Sequence, residues 1–307
     1  MSRKFHKGEK RIQKLAGETK QASFHGQMID NRIMPEALPI ILYQEYIIAS
    51  IADQNQSTWS YILTGDKGFI YSPNNKTVCI DKGKVDIDAN NIFWLSLENK
   101  IQIGLLIIDF ATRRRIRING IISAIKEENI EIKVIESYPN CSKYIQERKI
   151  IQSTPWNNNN PNIMMGEMLQ DTHKNIINSA DTFFIGSSNP NGQLDISHRG
   201  GNSGFVKFID EKTLKIPDYK GNNMFNTLGN IEINADTGLV FWDFESGNML
   251  QLNGTAKIKW QNSEPESQNN ETNRFWVFNI KQWCFSKIGR DFTWKVLSVS
   301  PHNPSLP

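Results

Sequence analysis

The chain carries one pattern twice. Residues 104–120 read GLLIIDFATRRRIRING and residues 238–254 read GLVFWDFESGNMLQLNG. They align without a gap at an offset of 134, with Gly104/Gly238, Leu105/Leu239, Asp109/Asp243, Phe110/Phe244, Asn119/Asn253 and Gly120/Gly254 identical. Upstream the echo continues at an offset of 136 through Gly65/Gly201, Gly68/Gly204, Phe69/Phe205, Thr77/Thr213 and Ile80/Ile216. An Asn-Asn pair (Asn90-Asn91, Asn222-Asn223) stands between the blocks in each copy. A long repeat sets the unit of architecture. This unit is about half of the 307 residues, too long for a solenoid repeat and right for a small domain. Two related domains in tandem are expected.

Composition narrows the class. With 38% hydrophobic and 22% charged residues the chain reads as an ordinary soluble globular protein. A net charge of +3 is too small to imply nucleic acid without a localised patch. The basic N-terminal residues (Arg3, Lys4, Lys7, Lys10, Arg11, Lys14) lack the aromatic interleaving of single-strand binders. Three widely spaced cysteines (Cys79, Cys141, Cys284) form no C-x-x-C and fit a reducing compartment. The N-terminus has no apolar signal core, and the longest apolar run, Ile103 to Phe110, is far short of a membrane span. A cytoplasmic location is expected, with organellar targeting left open. Five histidines at 6, 25, 173, 198 and 302 show no metal-ligand spacing, so no metal is expected.

Local pattern predicts mostly β structure. Residues 1–45 form a helical segment, with one amphipathic helix over 5–17 ended by Gly17 and a second over 37–45. Strands follow in YIIASIAD, STWSYILTG, FIYS and TVCID, then a helix over 90–99, then strands over 104–110, 114–122 and 129–136. In the second of these Ile116 and Ile118 face one way and Arg115 and Arg117 the other. A first copy over 46–152, a linker and helix over 153–180, and a second copy over 181–307 complete the division. The linker tract is STPWNNNNPN, the following helix covers 164–178, and the second copy repeats the strands around a helix near 222–230. QNSEPESQNNETN at 261–273 reads as a mobile loop. Antiparallel strands with one helix tucked between them, twice, suggest small β-barrels with helical caps.

The second copy concentrates the polar motifs: QLDISHRGGNSGF (193–205), DYKGNNMFNTLGNI (218–231) and a tail VSPHNPS (299–305). With the N-terminal FHKGE and the stretch NCSKYI (140–145), these resemble a duplicated subgroup of the flavin-nucleotide-binding split-barrel proteins related to pyridoxamine 5′-phosphate oxidase. The resemblance runs over nearly the whole chain. It implies a mainly β fold with minor α: two tandem split β-barrels with capping helices, binding FMN at the interface between barrel units. In single-copy relatives that interface belongs to a homodimer; here one chain would supply both halves as a pseudo-dimer, with room left for a further homodimer. A related deazaflavin in place of FMN stays open, as does no cofactor.

The residues support this chemistry independently. A dianionic phosphate needs cations or backbone N–H groups, and the flavin ring needs polar groups along its edge. Ser197, His198, Arg199, Gly200 and Gly201 supply a cation and a permissive backbone. Asn222, Asn223, Asn226 and Thr227 lie at the predicted helix start, which favours an anion. The positions matching His198 and Arg199 in the first copy are Ile62 and Leu63, so the second copy is expected to carry the main site. Where the wider family usually has a Ser-Arg-Lys phosphate clamp, this chain has Gly221-Asn222-Asn223. The C-terminal Arg-Leu-x-Pro type signature of a true pyridoxamine phosphate oxidase is missing, which argues against that activity.

Each motif also has a plain structural reading. Arg113-Arg114-Arg115 with Arg117 reads foremost as a solvated strand edge, and alternatively as a contact to a flavin phosphate. Trp242 reads as core more readily than as a flavin-stacking residue, and Cys141 as a buried small hydrophobe. His198 is the sole acid–base candidate. Two functions stay open: an FMN-dependent oxidoreductase with nicotinamide as a transient electron donor, or a non-catalytic flavin- or ligand-binding module serving as sensor, carrier or structural barrel.

Overall fold

A computed structural model describes residues 5–155, 163–260 and 272–304. Helices α1 (Lys7–Leu15), α2 (Thr19–His25) and α3 (Leu38–Leu42) open the chain. The first barrel follows as β1 (Tyr46–Ala52), β2 (Thr58–Thr64), β3 (Ile70–Tyr71), β4 (Thr77–Asp81), α4 (Ile92–Leu95), β5 (Gln102–Asp109), β6 (Arg114–Ile125) and β7 (Asn129–Pro139). Strands β8 (Glu147–Pro155) and β9 (Met164–Gly166) and helix α5 (Asp171–Ser179) lead to the second barrel. That barrel comprises β10 (Thr182–Ser188), β11 (Leu194–Gly200), β12 (Lys207–Asp210), β13 (Thr213–Pro217), α6 (Asn226–Ile231), β14 (Asp236–Trp242), β15 (Asn248–Trp260) and β16 (Arg274–Lys287), and β17 (Arg290–Ser298) ends the fold.

Both antiparallel sheets have one strand order. The first runs β2-β1-β5-β6-β7-β4-β3 and the second β11-β10-β14-β15-β16-β13-β12, with β9 added beside β16. The fold is therefore mainly β, two split barrels in tandem. The repeated residues explain why both halves close alike. Asn119-Gly120 and Asn253-Gly254 mark the same register shift, where an added Cβ would meet a carbonyl oxygen of the neighbouring strand at 2.5 Å and 2.1 Å. Asp109 and Asp243 accept from the amides of Ala111 and Glu245 and cap equivalent turns. Gly65 packs on Phe69 as Gly201 packs on Phe205.

The two barrels meet face to face with each contact returned. Strand β11 packs on β5 and β6, and β2 packs on β14 and β15; β1 meets β10. Such reciprocity is an isologous interface, here within one chain. It accounts for the burial of every residue in β2 and β10: one face fills a barrel and the other meets the partner copy. Small residues permit the approach. A Cβ on Gly186 would lie 2.1 Å from Ser50 Oγ, and one on Gly104 3.1 Å from the backbone of Asp195.

Several expectations need correction. The arginine-bearing strand β6 is central in its sheet, not an edge. The predicted helix over 164–178 starts only at Asp171, because Met164–Gly166 pairs with β16 as β9. Ser153–Pro155, expected in the linker, completes β8, which pairs with β17 from the far end of the chain. The rest of that linker tract and residues 261–271 of the expected loop lie outside the described residues. The helix over 90–99 is confined to α4, capped by the Asn91 side chain, and α2 and β17 were not expected. Trp242 is core as expected, stacked on Phe244. Cys141 is partly exposed rather than buried. Among the described residues no helix is long and apolar enough to cross a membrane.

Candidate functional site

A cleft opens between the two copies. Eight of the nine sequence-predicted binding residues line it: Ser197, His198, Arg199, Gly200, Asn222, Asn223, Asn226 and Thr227. Gly201 does not; it packs on Phe205, and its carbonyl accepts from Gln146. The first copy supplies the opposite wall through Arg115, Arg117, Asn140, Lys143 and Tyr144. The two-residue alternation predicted for β6 puts Ile116 and Ile118 in the barrel core and Arg115 and Arg117 into this seam. Only Arg114 of the arginine run is exposed, and Arg113 is tied to Ser298 and Glu147.

The charges in the cleft are unevenly matched. Arg117 is buried against Asp195 at 2.8 Å and donates to Ser197 Oγ at 2.5 Å. Arg199 shares Asp218 with Arg274, at 3.4 Å and 3.1 Å. Arg115 donates hydrogen bonds to the Cys141 carbonyl (2.7 Å) and to His198. No carboxylate lies within ion-pair distance of it among the described residues. Burial, with Arg117 adding to it, pushes its guanidinium down to about 9, still cationic at neutral pH. An uncompensated guanidinium beside the half-buried Lys143 makes this wall a place for an anion.

His198 is held neutral. Burial, then Arg115, Arg199, Arg148 and Arg117, keep its pKa well below the usual histidine value. Its Nε2 and the Nε of Arg199 are buried without a hydrogen-bond partner. Buried donors in that condition are costly unless something outside the chain satisfies them. The backbone is strained at the same place. Tyr144, Asn223 and Phe225 all line the cleft with φ of 66°, 59° and 60°. An aromatic residue in the left-handed region costs on the order of 1–2 kcal/mol, and such outliers cluster at functional sites.

The asparagine cluster works differently from the expectation. Helix α6 begins at Asn226 and has six residues, too short for the helix-start anion site read from the sequence. The N-terminal helices instead claim the amides. Asn226 donates to buried Glu9 at 2.7 Å, Asn223 to Glu18 at 3.0 Å, and the Asn222 carbonyl lies 2.6 Å from His25 Nδ1. Helix α1 can reach α6 because Gly8 and Gly229 face each other; a Cβ on Gly8 would stand 2.1 Å from the Gly229 oxygen. The cleft floor is therefore braced by the FHKGE segment. Lys220, the remaining cation of that stretch, is exposed and not part of the lining.

Comparison with known proteins adds the following. No family model and no curated protein sequence matches the chain. Among solved structures, a putative pyridoxamine 5′-phosphate oxidase from Lactobacillus delbrueckii is 15% identical, with a TM-score of 0.32, over 42% of this chain and 98% of that one. An FAD-binding protein from Mesorhizobium loti is 8% identical at a TM-score of 0.29, over 41% of this chain and 98% of that one. An F420 reductase is 11% identical at a TM-score of 0.28, over 38% of this chain and 98% of that one. Each of these matches covers about two fifths of this chain and nearly the whole of the other.

Proposed function

We propose that the chain is a duplicated split-barrel flavoprotein that binds one flavin nucleotide, FMN or a deazaflavin relative, in the cleft between its copies. The observation that carries this reading is Arg115: a partly buried guanidinium with no carboxylate partner, set among unsatisfied donors in the cleft between the copies. The fit is chemical. Arg115 and Lys143 would take the phosphate, while Ser197, the His198 Nε2 and Thr227 offer polar groups to the remainder. The flavin, when bound, would supply the redox chemistry at its ring.

The chain's own part is binding, orientation and a fixed positive field. Arg117 and Arg199 are already neutralised by Asp195 and Asp218, so they position the wall rather than grip the anion. Residues 46–152 and 181–307 would be the two copies, and the matching first-copy positions Ile62 and Leu63, both buried, make the site single. The three free cysteines fit a reducing, cytoplasmic setting.

A second reading, binding without turnover, is favoured by one feature. Among the described residues the cleft offers no free carboxylate: Asp218 is held by two arginines, and His198 is neutral against Arg115. The test is to purify the protein, record its visible spectrum, and identify the molecule that heat releases. A yellow protein releasing about one flavin nucleotide per chain supports the proposal. A colourless protein that fails to take up added FMN or F420 removes it. Flavin without reoxidation of reduced nicotinamide by any acceptor would select the binding module.

A further inference from the structure

The cleft between the copies is narrow. Its free space is about 80 Å³. That holds several waters at roughly 10–15 Å³ each, whereas a pocket enclosing a cofactor-sized molecule measures about 300–1,000 Å³. A ligand as large as a flavin nucleotide therefore enters only when part of the wall moves. Much of the wall is fixed. The Tyr144 N–H donates to Ser300 Oγ at 3.1 Å, and its carbonyl accepts from Gln146, which also donates to the Gly201 carbonyl at 2.9 Å. Gly200 lets this peptide press on the second copy, since a Cβ there would stand 2.0 Å from the Tyr144 oxygen. Helix α6 is buried along its length and braced by Glu9.

Residues 219–221 differ. Lys220 and Gly221 are exposed, and a Cβ on Gly221 would meet nothing within 4 Å. Among the described residues the amides of Tyr219, Lys220 and Gly221 donate no hydrogen bond to the chain. Both ends are anchored. Asp218 donates its N–H to the Arg274 carbonyl at 3.1 Å and holds Arg199 and Arg274 with its carboxylate, while the Asn222 carbonyl accepts from His25. Between these fixed points the segment is tied across the cleft by one residue of the first copy. Tyr144 donates its hydroxyl to the Lys220 carbonyl at 3.1 Å, and its ring lies 5.1 Å from that of Tyr219.

We propose that residues 219–221 form a flap over the cleft, latched shut by Tyr144, which opens to admit a ligand. That a flavin nucleotide is what enters rests on the function proposed above; the latch does not. Tyr144→Phe removes the hydroxyl alone, and the net strength of one neutral hydrogen bond sets the expected change at roughly two- to tenfold. With trypsin dilute enough that the flap recloses faster than it is cut, cleavage after Lys220 reports the open population. Cleavage after the exposed Lys67, in a turn of the first copy, is the internal reference. Cleavage at Lys220 should quicken by that factor in Tyr144→Phe, and likewise in Tyr219→Ala, which removes the ring contact. The association rate of FMN in stopped-flow fluorescence should rise in step. Cleavage at Lys220 unchanged in both variants overturns the latch. Faster cleavage with an unchanged FMN association rate shows that entry does not pass the flap, and overturns the gate. If wild type and variants alike bind no FMN while cleavage at Lys220 quickens, the flavin reading falls and the latch stands.

Discussion

The guanidinium of Arg115 lies 2.9 Å from Nδ1 of His198, across the seam between the two copies. Guanidinium nitrogens only donate, so Nδ1 must accept and the ring hydrogen must sit on Nε2. The pair therefore fixes a neutral tautomer and leaves Nε2–H as a donor at the cleft. Nitrogen-15 NMR should show the Nε2–H form at neutral pH, and Arg115→Ala should release it to a tautomer mixture. An imidazolium at about pH 7 in the wild type would refute the assignment.

The same burial makes stability depend on acidity. His198 in the folded state has its pKa well below 6.5, while in the unfolded chain it recovers the ordinary value. Between those two values the unfolded state binds more protons, so stability rises with pH there and is complete above about 6.5. It is lost as pH falls from about 6.5 toward the folded value. His173, also lowered by burial, contributes with the same sign. His198→Gln should flatten part of the fall in Tm between about pH 7 and pH 5, and an unchanged slope would show that His198 is not held neutral.

Arginine substitutions should separate gripping from bracing. A charge-assisted hydrogen bond to a phosphate is worth about 1.5–3 kcal/mol, roughly ten- to a hundredfold in affinity. Arg115→Ala is expected to weaken FMN by that factor and riboflavin, which lacks the phosphate, hardly at all. Arg199→Ala should weaken FMN less, because Asp218 already offsets Arg199 and keeps Arg274 as a partner. Titration by flavin fluorescence quenching measures each of these affinities against the wild type. Equal losses for FMN and riboflavin in Arg115→Ala would move the phosphate elsewhere.

Sequence and structure agree where short-range chemistry decides and part where topology does. The residues identical between the copies are architectural: a register-shift glycine, a turn aspartate, a glycine under a phenylalanine. The cleft arises where the copies differ, at His198 and Arg199 against Ile62 and Leu63. That contrast selects the second copy, and the polar motifs around His198 and Asn222 supply eight of the nine residues that line the cleft. Arg115 and Arg117 were read as an edge because the run itself cannot reveal that β7 and β5 flank it. Gly201 groups with Gly200 by adjacency, and only the structure shows it packed on Phe205 as Gly65 is on Phe69. The bracing of Asn223 and Asn226 by Glu18 and Glu9 joins residues some 200 apart, beyond any local pattern.

The interface between copies admits a sharper test through Gly186 and Ser50, which occupy the same place in the repeat and face each other. A side chain on Gly186 would meet Ser50 Oγ at 2.1 Å and Ser60 Oγ at 2.7 Å, inside a seam buried on both sides. Overpacking of this kind costs about 1–3 kcal/mol. Gly186→Ser should therefore lower stability by that amount in urea unfolding. If the two positions truly oppose one another, exchanging them restores much of the fit: Ser50→Gly with Gly186→Ser should recover at least about half of the loss. The remainder reflects Ser60, whose hydroxyl is held by the Gly238 carbonyl at 2.8 Å and cannot retreat freely. A double variant no more stable than Gly186→Ser would mean the copies do not meet through these residues, and the reciprocal interface would have to be redrawn.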